Sequence, residues 1–106
     1  MRIISQNGMA DYPYEQCMIF VNYKERTKLC ISMCGDEGYG DLAEYDSEED
    51  AKFVIEMIGA SYMIGSHWMH MPDAEQARTL RASYLENRKD EESYYRYLKR
   101  MGAHIV

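Results

Sequence analysis

Apolar residues recur along this chain first with a period of two and then with a period of about 3.6, and the change of period divides it into a strand-rich part and a helical part. Residues 2–5 predict a short strand, and Asn7-Gly8 supplies the positive φ angles of a tight turn. Residues 11–14 predict an extended or turned segment, because Pro13 restricts Tyr12 and cannot donate to a ladder. Residues 17–23 are β-branched and aromatic, Lys24-Glu25-Arg26 is a polar turn, and in residues 27–33 Leu29, Ile31 and Met33 alternate with Lys28, Cys30 and Ser32. That pattern predicts a hairpin with one buried face. Gly35 to Gly40 is a glycine-rich loop, and residues 42–45 predict the last strand before the period changes.

From there Ala51, Val54, Ile55, Ile58 and Tyr62 fall on one stripe of a helix over residues 47–64. Asp46 or Ser47 can cap its first free N–H groups, while Glu48, Glu49 and Asp50 set negative charge at the positive end of its dipole. Gly65-Ser66 is the expected stop, and residues 67–72 predict a connector or an added strand. Asp73 with Gln76 three residues on forms a capping-box signature. Ala77, Leu80, Tyr84, Leu85, Tyr94, Leu98 and Met101 keep helical phase across residues 73–101, either as one rod or as two helices broken near residues 86–92. A single rod would be about 43 Å long, too long for so small a sheet to cover, so the rod implies a homodimer through its apolar seam. The expected fold is therefore α+β: a small antiparallel sheet of three to four strands, covered by one amphipathic helix and followed by a C-terminal helical arm.

Composition makes this one domain. A chain of 106 residues, 46% hydrophobic and 28% charged, has enough apolar surface for a single core and too little length for two. No apolar run approaches the roughly 20 residues that span a bilayer, and no signal-peptide pattern opens the chain, so a cytoplasmic protein is expected. The odd count of three cysteines argues for reduced thiols. Nine methionines and ten tyrosines supply adaptable and rigid contact area respectively, which favours a protein that binds something. The net charge is −6, and residues 1–72 carry 12 acidic against 5 basic side chains. Duplex DNA is a poor partner for that part, since phosphate contacts need clustered Lys and Arg.

Four residue sets bear on chemistry. Cys30, Cys34, His67 and His70 are zinc-compatible, but on a strand positions i and i+4 lie about 13 Å apart, so no metal is expected. Cys17 with His67, His70 or His104 has the residue types of a nucleophile and base without the spacing of a nucleophile elbow, and GDEGYG lacks the Lys-Ser/Thr of a phosphate loop. Neither an enzyme nor a cofactor is expected. The third set is an acidic run of eight carboxylates between Asp36 and Asp50, of which Asp36, Glu37, Asp41, Glu44, Glu48 and Glu49 are the candidate surface for a basic partner. The fourth is its alternative: Arg96 and Arg100, one helical turn apart, with Tyr94 and Tyr97 beside them, are the residue types that clamp and stack on a small nucleotide.

The opening MRIISQNG, the DYPYE element and AEYDSEEDA at the helix start together resemble a group of small phage and prophage accessory proteins of Gram-positive bacteria, which share the order MRIISQ-x-G, D-x-PYE and AEY-[S/T]-x-E-x-A. The likeness covers about the first 62 residues and carries no catalytic residues with it. It implies an accessory gene of a mobile element acting in a bacterial host cell. In that setting the expected function is non-catalytic binding that blocks a host defence protein, such as a CRISPR-type nuclease effector. The alternative is sequestration of a nucleotide immune signal, with a small enzyme or a transcriptional regulator outside both.

Overall fold

The computed structural model describes residues 1–102. Its elements run β1 (Arg2–Ile4), β2 (Asp11–Pro13), a 3-10 turn (Tyr14–Gln16), β3 (Cys17–Val21), β4 (Lys28–Met33), β5 (Gly40–Glu44), α1 (Glu48–Met63), β6 (Trp68–His70), α2 (Ala74–Asn87) and α3 (Tyr94–Arg100). The fold is α+β, as the change of period requires. The strands divide into two sheets: β3, β4 and β5 form an antiparallel meander, and β1 lies between antiparallel β2 and parallel β6. The second sheet departs from the all-antiparallel expectation because β6, the predicted connector or added strand, reaches β1 from the far end of α1.

Local signals start and stop the helices where the residues demand. The Ser47 hydroxyl accepts from the Asp50 amide at 3.1 Å, which makes Ser47 the cap of α1. Gly65, at φ 88°, reverses the chain after α1, with the Ser66 amide donating to the Ser61 carbonyl at 3.0 Å. Asp73 and Gln76 make both bonds of the capping box, at 2.8 and 3.0 Å. The C-terminal region is two helices: Arg88 turns extended, Asp90 takes φ 52°, and the Ser93 hydroxyl caps α3 by accepting from the Arg96 amide at 3.2 Å.

α1 is buried on two sides. Ala51, Val54 and Ile58 of the predicted stripe are buried, Ile55 is half-buried, and Tyr62 rests its ring 4.9 Å from Tyr14. Phe53, Met57 and Ala60 are buried as well, and Phe53 packs against Tyr84 of α2 and Tyr94 of α3. α1 thus lies between the β3-β4-β5 sheet and the folded-back pair α2 and α3. This removes the premise of the expected dimer, because Tyr84 and Tyr94 of the supposed seam are spent inside the chain.

Gln6 ties the two sheets together. Its amide donates to the Leu42 carbonyl at 3.0 Å, its side-chain carbonyl accepts from Glu44 at 2.9 Å, and its side-chain amide donates to the Glu44 and Pro72 carbonyls, each at 3.0 Å. The buried Tyr45 hydroxyl also donates to the Pro72 carbonyl, at 2.9 Å. Burial raises the Tyr45 pKa well above that of a free phenol and keeps the hydroxyl a donor.

Ile58 is 1% exposed, and truncating it leaves a cavity the sheet cannot close. Ile58→Ala should cost roughly 2–5 kcal/mol in denaturant unfolding. Glu49→Ala, on the exposed first turn of α1, should lie within about 0.5 kcal/mol of wild type. Equal effects would mean that α1 is not the centre of the core.

Candidate functional site

The acidic run separates into two groups. Asp46 pairs with Arg78, Glu48 with Arg26 at 3.1 Å and Lys52 at 3.2 Å, and buried Asp50 lies 3.5 Å from Arg81. The Arg26 and then the Lys52 hydrogen bonds hold the Glu48 carboxyl below its ordinary value. Glu48, counted above with the partner surface, is therefore engaged in anchoring α1. Asp36, Glu37, Asp41, Glu44 and Glu49 are exposed and form no ion pair among the described residues.

Of these, Asp41 stands beside Cys30 on the face of the β3-β4-β5 sheet turned away from α1, its carboxylate 4.0 Å from the Cys30 sulfur, and Asp36 and Glu37 lie in the turn between β4 and β5 that also carries Tyr39. In β3, Cys17, Ile19 and Val21 turn toward α1, so Met18 and Phe20 turn outward, opposite Ser32 and Cys30 of β4. Phe20 is met edge-on by Tyr39 from the loop before β5, with ring centroids 5.5 Å apart. Met18 and Tyr39 remain 62% and 61% exposed, more than a filled surface requires of two large side chains. Cys30 is fully covered on this face by its neighbours, with the Asn22 amide 3.3 Å from its sulfur. Lys28 sits opposite Glu44 but is held by Glu25 at 3.0 Å, a bond that raises its ammonium above its ordinary value. The face is therefore a sheet surface carrying Met18, Phe20 and Tyr39, with Asp41 on it and Asp36 and Glu37 in the adjoining turn, none of them in an ion pair among the described residues.

The alternative residues are arranged differently. Tyr94 is buried, 4.9 Å from Phe53 and 5.3 Å from Tyr84, and Tyr97 lies 5.3 Å from Tyr84. Arg100 binds the Glu92 carboxylate through Nε at 2.9 Å and Nη2 at 2.9 Å, donates from Nη2 to the Asn87 carbonyl at 2.8 Å, and lies over the Tyr97 ring. Only Arg96 is exposed and without an ion pair among the described residues. Tyr94, Tyr97 and Arg100 of the residues expected to hold a nucleotide thus take part in closing α3 onto α1 and α2, and Arg96 does not.

Cys30 lies in β4 with Cys34 in the turn after it, His70 ends β6 of the other sheet with His67 just before that strand, and no three metal-ligating side chains meet among the described residues. Burial raises the Cys17 thiol pKa, which disfavours the thiolate a nucleophile needs. His104 lies outside the described residues.

One concavity had no clear signal in the sequence: a cleft of about 800 Å³ between β6, α1 and α2, lined by Met57, Met69, Met71, Leu80 and His70. The methionines come from two elements and meet only in the fold. Met18, Phe20 and Tyr39 were also missed as a site, although the unbroken apolar run CMIFV, which places apolar groups on both faces of β3, was a usable signal.

No helix is long and apolar enough to cross a membrane among the described residues. Comparison of the chain with protein-family models, curated proteins and solved structures returned no match.

Arg100 holds the Glu92 carboxyl below its ordinary pKa of 4.5. A carboxylate depressed in the folded state stabilises it above the unfolded pKa and loses that contribution as pH falls through the folded pKa. Thermal melts taken from about pH 6 to about pH 3 should therefore show wild type above Glu92→Gln at the upper end and the gap closing at the lower end. A gap that is constant with pH would show that the Arg100 pair does not hold α3.

Proposed function

We propose that this chain is a non-catalytic binding protein that docks a positively charged partner on the outer face of its β3-β4-β5 sheet. The observation that supports the reading is Asp41 on that face and Asp36 and Glu37 in the adjoining β4-β5 turn, none with an ion pair among the described residues, together with the exposed Tyr39 and Met18. Aromatic and methionine side chains supply the contact area of a binding core, and a rim of one charge sign selects and steers a partner of the other. In the phage or prophage setting that the resemblance implies, the partner is a host defence protein. A nuclease effector of the CRISPR type suits the charge, because its nucleic-acid groove is basic. The nucleotide-sequestering alternative has less support, since Tyr94 and Arg100 are committed to closing α3.

Capture from a lysate of defence-bearing bacteria, followed by mass spectrometry, should recover a basic nucleic-acid-binding protein that added duplex DNA displaces. Reversing Asp36, Glu37 and Asp41 to Lys should slow association with that protein about tenfold or more at low salt and flatten its salt dependence. Arg96→Ala with Arg100→Ala should leave association unchanged. Capture indifferent to the charge reversal, or a nucleotide released on heating wild type and not the double Arg variant, would replace this reading with the nucleotide one.

A further inference from the structure

The two sheets have four edges, and three are protected. β2 ends on Pro13 and carries Asp11 paired with Arg2 at 2.9 Å. β6 is only three residues long. The free edge of β5 is occupied by Gln6, which bonds Leu42 and Glu44. These are the ordinary defences against edge-to-edge pairing. β3 has none of them: Cys17–Val21 is five residues, CMIFV, without charge, proline, glycine or bulge.

The register determines which groups that edge presents. The Asn22 amide donates to the Lys28 carbonyl at 2.8 Å and the Cys34 amide to the Gln16 carbonyl at 2.9 Å. Antiparallel pairs alternate between bonded and non-bonded, so Met18 and Phe20 also direct their backbone groups at β4. Ile19 and Val21 then direct theirs outward, where no partner meets them among the described residues. The Cys17 amide is returned to the Tyr14 carbonyl, leaving the Cys17 carbonyl outward as well.

We infer that β3 pairs antiparallel with β3 of a second copy of this chain, about a two-fold axis through Ile19, joining two three-stranded sheets into one. The sequence of the strand suits itself in that register: Ile19 faces Ile19, Cys17 faces Val21, Met18 faces Phe20, and the flanking Gln16 faces Asn22. The parity is correct too. The Ile19 pair exchanges two N–H···O bonds and each Val21 amide meets a Cys17 carbonyl, about four bonds in all. On the inner face the strand borders an apolar cleft of about 130 Å³, lined by Tyr14, Cys17, Ile19, Ile55 and Ile58. The partner's Ile19 and Val21 lie on that same face and cover it, which accounts for Cys17, Ile19, Val21 and Ile55 being half-buried in one chain. The charge of −6 opposes self-association only weakly here. The unpaired Asp41 lies on β5, two strands and so about 10 Å from β3, and farther than the roughly 8 Å screening length from its counterpart.

This pairing sets Met18 opposite Phe20 of the second copy beside the face used in the proposed docking, and its test reads oligomeric state and amide protection, which the docking reading does not predict. Light scattering of the whole chain at micromolar concentration should give twice the chain mass of 12.5 kDa. Val21→Pro removes an outward N–H that β4 does not use, and Met18→Lys sets like charges near the axis on an already exposed side chain; each should yield a folded monomer by circular dichroism. In hydrogen exchange, the Ile19 and Val21 amides should slow by about tenfold or more as concentration rises, while those of Met18 and Phe20 stay protected throughout. A 12.5 kDa species at every concentration overturns the inference, as does a dimer whose Ile19 and Val21 amides remain unprotected.

Discussion

The structure depends on α1 having two apolar sides. An amphipathic helix with a single stripe needs one covering layer, and the sheet supplies it through Cys17, Ile19, Leu29 and Ile31 against Val54 and Ile58. Phe53, Met57 and Ala60 create a second obligation, and only the C-terminal residues are left to meet it. That is why the helical arm folds back. Tyr84 stacks on Phe53, Tyr94 meets it edge-on and Tyr97 meets Tyr84 edge-on, each pair adding about 0.5–1.5 kcal/mol beyond the area it buries. The polar segment between α2 and α3 is drawn into the same cluster, where the Tyr84 hydroxyl donates to the Glu92 carbonyl and Glu92 holds Arg100.

Charge in this chain follows from the same arrangement. Three carboxylates at the start of α1 anchor it: Asp46 and Asp50 receive arginines from α2, and Glu48 receives Arg26 from the β3-β4 turn, while Glu49 forms no ion pair among the described residues. Asp36, Glu37 and Asp41, away from α1, form no ion pair among the described residues. The excess negative charge is thus displaced to the one broad surface that also exposes Met18 and Tyr39. Apolar and charged groups that the fold leaves exposed thus lie close together on that side of the sheet.

Much of this was legible in the residues. The change of period places the strands ahead of α1, and the Ser47 cap, the Gly65 stop and the Asp73-Gln76 box are local devices whose partners lie within a few residues. The acidic run is legible as composition, but its division into engaged and free carboxylates is not, because Arg78 and Arg81 lie some thirty residues from Asp46 and Asp50. Arg96 and Arg100 with Tyr94 and Tyr97 read equally well as a ligand clamp or as packing. Only the positions of Glu92 and Phe53 show that Arg100 and Tyr94 are packing.

The sequence by itself determined the strands of the hairpin and its inner face, the ends of α1 and the start of α2, since these rest on periodicity and on hydrogen bonds between near neighbours. The tertiary structure alone decided that the strands split into two sheets, that β6 pairs parallel with β1, that Gln6 closes the edge of β5, and that residues 74–100 break into α2 and α3 and fold onto α1 instead of extending as a rod. Each of these joins residues far apart along the chain. Such contacts are chosen by which exposed surfaces remain to be covered once the local elements have formed, and no periodicity in a single sequence records that competition.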